Sequence, residues 1–289
     1  MLPIKRAARM SSAEQGWYCG RMILTLIALE FIFRSCIPVP KKIKENKKLI
    51  GEYKMKVIAM SHATFASFGA LYAILSDSHL KSQTWAVLTF SSKEIDSLFV
   101  HPAGAFASRI LTSITTAFFF WELLHLANWA STSNLDRISM IMHHFISIAL
   151  WPASCKNRIA HFFLIHFEFS EISSPFLHLR WFARNFSWTP QTDLFVSALF
   201  ASTFFFFRSS IVIPMLRAAF ITNPLNASAY PFLNLAERII SVISLPLPFL
   251  LNALWTYQIV LMIYKTIRRL DKKKNNTSQT SSNGIHKVS

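Results

Sequence analysis

Residues 139–151 read SMIMHHFISIALW and place two adjacent histidines, His143 and His144, inside an otherwise apolar run. With its flanks, residues 138–155, the run approaches the ~20 residues that a helix needs to cross the ~30 Å hydrocarbon core of a bilayer. Ionisable side chains are costly at that depth, so they generally face the interior of a helical bundle and mark a site. The stretch therefore predicts a transmembrane helix whose polar face forms one wall of a functional site.

Apolar stretches of similar length recur along the chain of 289 residues, which is 52% apolar and contains 27 Phe. Helices satisfy their own backbone hydrogen bonds in lipid, and the stretches lack the short alternation of a membrane β-barrel. The pattern predicts an all-α integral membrane protein with about seven transmembrane helices; six remain possible, because the second and fourth stretches are less apolar. The candidate stretches are roughly residues 20–40, 57–76, 103–124, 138–155, 159–178, 194–215 and 239–264.

Charge patterning predicts the orientation of these helices. The net charge is +16, and most Lys and Arg outside the stretches fall on one side when the loops are assigned alternately to two sides. That side contains residues 41–56 and 265–274, so the positive-inside rule predicts a luminal N-terminus and a cytosolic C-terminus. Topogenic charge and contact with anionic headgroups account for the basicity, and we expect no nucleic-acid partner.

Polar residues inside the stretches fall into stripes. Asp136 and His143 are seven residues apart and share one helical face, whereas His144 points about 100° away. If the protein is an enzyme, we expect His143, His144 and Asp136 to be catalytic, because an imidazole beside a carboxylate can act as a general base or an acyl-carrying nucleophile. The other polar residues expected to line an interior cavity are Glu122, His161, Glu168, Glu171, His178 and Arg208.

Other uses of these residues are weighed by spacing. An intramembrane His or Glu often serves only to hydrogen-bond neighbouring helices, and we assign His166 to that role because it lies about 140° from the stripe of its own helix. Membrane di-iron enzymes need closely spaced His clusters, which this chain lacks, so we expect no metal and no cofactor. Axial haem ligation and transport remain weaker alternatives, since no spacing favours the first and no internal repeat supports the second.

Two segments carry a family resemblance: DRISMIMHH at residues 136–144 and SEISSPFLHLRWF at residues 170–182. In this order, with FFFFRSSIVIP at residues 204–214, they resemble the TLC-domain family, which includes the ceramide synthases, and within it the group of TLC domain-containing protein 4. The resemblance runs from about Glu52 to Arg269.

The resemblance implies a bundle of six helices around a lipid-accessible cavity in the endoplasmic reticulum or a related membrane. In ceramide synthases the His pair is essential for moving a fatty acyl group from acyl-CoA to a sphingoid base, a role that would fall on His143 and His144. The chain departs from the synthase pattern where acids are expected, because Phe167 and Ser170 stand there instead. The acids are displaced to Glu168 and Glu171, which is the pattern of the non-synthase branch.

Two functional hypotheses follow. In the first, the protein binds an acyl chain or sphingolipid in its cavity and acts in membrane lipid homeostasis; in the second, it is a ceramide-synthase-like N-acyltransferase, with acyl-CoA as substrate. The partners expected in both are membrane lipids. The expected organisation is an N-terminal tail over residues 1–19, a first transmembrane helix over 20–40, a TLC domain over 49–270 and a disordered basic tail over 271–289.

Overall fold

The structure, a computed structural model, describes residues 10–91, 106–126, 134–157, 161–222, 234–244 and 246–285. Within these residues the secondary structure is helical, with no strand. The α-helices are α1 (Ser12–Phe31), α2 (Lys47–Ser76), α3 (Ser78–Leu88), α4 (Phe106–His125), α5 (Asn134–Asn157), α6 (His161–Ser170), α7 (Ser174–Asn185), α8 (Pro190–Phe204), α9 (Val212–Thr222), α10 (Leu235–Ser244) and α11 (Leu247–Ile285). Shorter helical turns are Ile32–Cys36, Lys41–Ile43, Glu171–Ser173 and Phe205–Ser209.

Four helical segments in the described part of the chain are long and apolar enough to cross a membrane: Ser12–Cys36, Lys47–Ser76, Pro190–Ala218 and Leu247–Lys265. Each overlaps one of the seven stretches expected from hydropathy. The all-helical membrane class is therefore confirmed, with four of the predicted crossings meeting both criteria of length and composition.

The first helix begins earlier than expected. Ser11 and Glu14 form a capping box, in which the Ser11 Oγ accepts from the Glu14 amide at 3.2 Å and the Glu14 carboxylate accepts from the Ser11 amide at 2.8 Å. Reciprocal caps of this kind satisfy the free amides of a first helical turn. Part of the segment expected to be an N-terminal tail is therefore helical from Ser12 onwards.

Helix α2 lies at the centre of the bundle and packs against α4, α6 and α7. Its packing face is built from small residues, which let neighbouring helices approach closely. At Gly69 a Cβ atom would lie 2.9 Å from the Leu111 Cδ1 atom of α4, so any larger residue would have to displace the buried Leu111 side chain. The alanines buried along this face are Ala59, Ala63, Ala66, Ala70 and Ala73.

Two irregular turns set the direction of the polar side chains. The 3₁₀ turn Glu171–Ser173 separates α6 from α7, and three residues at three per turn rotate the following helix by about 60° relative to a continuous α-helix. The π-helical turn Phe205–Ser209 interrupts the span that begins with α8, and within it Arg208 is buried among phenylalanines. Single π turns of this kind are frequent at functional sites.

The last helix continues far beyond its membrane-spanning part. Helix α11 extends to Ile285, so residues 271–285 are helical where the composition predicts a disordered tail. A helix that already spans the bilayer needs no new nucleus, and adding residues to an existing helix costs much less than starting one. The three consecutive lysines from Lys272 are also good helix formers.

Candidate functional site

A cavity of about 840 Å³ lies between α2, α4, α5, α7, α8 and α11. Its wall mixes aromatic side chains, such as Phe118 and Phe200, with ionisable ones. Ligand sites are typically apolar cavities with a few convergent polar groups, so this is the candidate site of the protein. The expected site residues that line it are Glu122, His143, His144, Glu171, His178 and Arg208.

His144 is almost fully buried, and a carboxylate from another helix is beside it. Its Nε2 atom lies 3.4 Å from Glu122 Oε2, and its ring stacks on Phe119 with centroids 4.8 Å apart. In the described part of the protein its Nδ1 atom has no hydrogen-bond partner. The side chain of Asp136, the partner expected from the sequence, lies outside the described residues, and the carboxylate found next to His144 belongs to Glu122.

His143 faces a different part of the wall. It lines the main cavity and also a second, small pocket of about 60 Å³, and Glu171, Arg208 and Trp255 line both as well. The His143 ring makes an edge contact with Trp255, with centroids 5.7 Å apart. These four side chains form the partition between the two spaces, and the adjacent histidines of α5 thus have different neighbours.

Arg208 is fixed by the turn that links α6 to α7. Its Nε donates to the Ser170 carbonyl and to Ser173 Oγ, each at 3.0 Å, and its Nη2 lies 2.9 Å from Glu171 Oε1. Ser174 Oγ accepts a further hydrogen bond from Nη2 at 3.1 Å. Charged groups buried in a membrane protein are normally paired in this way, and the pair holds the π turn against the 3₁₀ turn.

Several ionisable cavity residues are absent from the expected site, and two of them, Lys56 and His62, are buried in α2. The charge pattern predicts Lys56 in a cytosolic loop, but Lys56 lies inside α2, buried, with Glu52 and Glu122 as its neighbouring charges. His62 stacks on Phe118, with centroids 3.8 Å apart. The sequence does contain a signal that Lys56 is helical and paired: it lies four residues after Glu52, which places both side chains on one helical face.

His161 and Glu168 line neither of these spaces, which corrects the expectation that they share a cavity wall with His178. Ser108 Oγ lies 3.0 Å from His161 Nδ1, and Thr112 and Thr115 are beside Glu168. All of these hydroxyls belong to α4. The expected single stripe assumed one continuous α-helix, and the 3₁₀ turn Glu171–Ser173 rotates its two halves apart.

His166 bonds within its own helix and to α3. Its Nδ1 bonds the Phe162 carbonyl at 2.7 Å, and its Nε2 lies 3.1 Å from Thr84 Oγ1.

Among the described residues, the His, Cys, Asp and Glu side chains form no group of three or more that could hold a metal ion.

Chemically, the cavity offers an imidazole with a carboxylate at His144 and a guanidinium bound to a carboxylate at Arg208. A His–carboxylate pair can accept and return a proton. Arg208 donates to four protein oxygens and is a fixed positive charge of the wall. The arrangement therefore suits an amphiphile that makes polar contacts with the ionisable side chains and apolar contacts with the aromatic wall.

Comparison with known proteins shows the family. A sequence model of the TLC domain, TRAM_LAG1_CLN8, matches residues 52–261, which include every cavity residue named above. TLC domain-containing protein 4-B of Danio rerio is 27% identical over 176 residues, covering 57% of this chain and 64% of that protein. TLC domain-containing protein 4 A of Dictyostelium discoideum is 24% identical over 174 residues, covering 60% and 64%. The chain thus spans just under two thirds of the length of these curated relatives, and the matched region makes it a member of the TLC-domain family.

Proposed function

We propose that the protein binds one membrane lipid, through an acyl chain or as a sphingolipid, in the cavity between its helices and acts in this way in membrane lipid homeostasis. The observation that carries the proposal is the cavity of about 840 Å³, whose wall combines aromatic and ionisable side chains. Its volume lies within the ~300–1,000 Å³ of ordinary ligand sites. Membership of a family that includes the ceramide synthases supports a lipid as the ligand.

The proposed arrangement in the membrane has seven crossings. Helix α4, with 20 residues, helix α5, with 24 residues, and the pair α6 and α7 would add three crossings to the four long apolar segments. The distribution of Lys and Arg favours a luminal start of α1 and a cytosolic end of α11. The endoplasmic reticulum is the membrane that the family resemblance favours.

The lipid-binding proposal is tested on the purified full chain by native mass spectrometry in mild detergent. We expect a lipid to remain bound to the wild-type protein and to be lost from Ala63→Trp, because Ala63 is buried and lines the cavity. The matched control is Ala198→Trp on the exposed face of α8, which should keep the lipid. A wild-type protein without lipid, or equal lipid on both variants, would contradict the proposal.

A second candidate function is N-acyl transfer, and the position of His144 beside Glu122 favours it. In this reaction the amine nitrogen of a sphingoid base attacks the thioester carbonyl of an acyl-CoA. The C–N bond of the amide forms, the C–S bond breaks, and the proton of the amine passes through the imidazole to the CoA thiolate. This candidate comes second because Phe167 and Ser170 occupy the two positions where the ceramide synthase pattern has acidic residues.

The two candidates are separated by one assay. Purified protein is incubated with an acyl-CoA and a long-chain amine, and the amide and any acylated histidine are measured by mass spectrometry. Amide formation that His144→Ala abolishes would establish the transferase and replace the pure binding role. No amide from a protein that still retains lipid would leave binding as the function.

A further inference from the structure

Besides Arg208, four cations line the main cavity: Lys56 lies in its buried part, and Arg180, Arg184 and Lys265 lie at the end that reaches the surface. The Arg184 side chain is 51% exposed and Lys265 is exposed, so this end forms a mouth. Trp181, Asn185 and Gln258 line the same space and add polar side chains. The buried part of the wall includes the aromatic rings of Phe118 and Phe200 beside the histidine pair of α5.

The four cations differ in their partners. Arg184 lies 3.3 Å from the Asp193 carboxylate, and Lys56 has Glu52 and Glu122 as neighbouring charges. Arg180, by contrast, donates to the Ser197 hydroxyl at 3.1 Å and to the Met262 thioether.

Within the described residues no carboxylate lies within ion-pair distance of Arg180 or of Lys265. Among the described residues, Arg180 and Lys265 are thus the two cations of the mouth without an ion pair, although Asp193, which pairs with Arg184, also acts on Arg180 from beyond ion-pair distance.

We propose that Arg180 and Lys265 bind the phosphate of a membrane lipid whose acyl chains occupy the cavity, so that the ligand is an anionic phospholipid. This inference rests on the proposed lipid-binding function and names the class of lipid. The guanidinium presents a planar set of donors that matches phosphate oxygens, and the lysine adds a mobile charge from the rim. A phosphomonoester, with a charge of about −1.5 to −2 near neutral pH, complements two unpaired cations better than an uncharged headgroup does.

Selectivity among headgroups tests the inference on the full-length protein in nanodiscs. Phosphatidic acid, phosphatidylcholine and diacylglycerol with identical chains compete for one fluorescent lipid, with an acyl-CoA of the same chain length as a fourth competitor. We expect phosphatidic acid to bind at least about tenfold more tightly than diacylglycerol, since a hydrogen bond to a charged group contributes that much or more. Arg180→Gln should remove most of this preference.

A second variant tests the same site at an exposed position, where a substitution should not disturb folding. Lys265→Gln lies at an exposed position, so it should fold and still weaken the preference for phosphatidic acid several-fold. Its matched control is Lys42→Gln, an exposed lysine that bonds Ser187 away from the cavity and should change nothing.

The remaining outcomes separate this inference from the function on which it rests. Equal binding of all competitors, unchanged by Arg180→Gln and Lys265→Gln, would overturn the phosphate site and leave the lipid-binding function standing. Binding of the acyl-CoA without binding of phosphatidic acid would also overturn it, because the cations would then recognise the phosphates of coenzyme A and not those of a phospholipid headgroup. Binding of no lipid at all would overturn the proposed function and the inference together.

Discussion

Replacing Arg208 by Met should destabilise the protein by about 3–5 kcal/mol, since removal of one partner leaves the other charge of a buried pair uncompensated. The Arg208 side chain is 7% exposed and that of Glu171 14%, so water cannot replace the lost contacts. The unpaired Glu171 carboxylate is the largest single contribution to this loss. The three further hydrogen bonds, to Ser170, Ser173 and Ser174, contribute less, at ~0.6 kcal/mol each in membrane proteins.

The double variant Arg208→Met with Glu171→Gln isolates the pair. It should be more stable than Arg208→Met alone by about 1–3 kcal/mol, which is the interaction energy typical of groups in one network. Unfolding in mild detergent, followed by tryptophan fluorescence against added denaturing detergent, measures each free energy. Arg34→Met is the control: its pair with Glu30 has the arginine 74% exposed and should contribute at most about 1 kcal/mol. Equal losses from Arg208→Met and Arg34→Met would refute the reasoning.

Three further substitutions test other parts of the structure. Glu168→Gln should not lower the thermal unfolding temperature, because an amide of the same shape keeps the Thr112 and Thr115 hydroxyls as neighbours and removes a fully buried ionisable group; a clear drop would show that stability depends on the carboxyl group itself. Gly69→Val should cost about 1–3 kcal/mol, because its Cβ would press against Leu111, and a neutral result in the same unfolding assay would contradict the close contact of α2 with α4. Glu122→Leu should destabilise more than Glu122→Gln, because both His144 and Lys56 lose a polar neighbour; equal stability of the two variants would remove Glu122 from the buried network.

The sequence predicts those features that depend on local pattern. Long apolar stretches predict the helical membrane class, since lipid permits few alternatives to a helix. The heptad spacing correctly separates the faces of His143 and His144 on α5, because α5 is helical through both residues.

The remaining features depend on contacts between helices or on irregular turns. The carboxylate next to His144 comes from α4, and no spacing within α5 can indicate it. The 3₁₀ turn at Glu171–Ser173 rotates Glu168 away from the cavity, which a uniform helical period cannot show. Lys56 was assigned to a loop because charge counting treats a lysine at the end of an apolar stretch as topogenic, whereas α2 begins at Lys47.

Occupation of the cavity by a lipid is measured by crosslinking in native membranes with a lipid whose acyl chain carries a photoactivatable group. Adducts are mapped by mass spectrometry with and without excess unlabelled lipid. We expect saturable adducts on the buried cavity residues Phe119 and Phe200, lost on competition, and only non-saturable labelling of lipid-facing residues such as Phe145 and Phe195. Adducts confined to Phe145 and Phe195, with none on Phe119 or Phe200, would contradict the account.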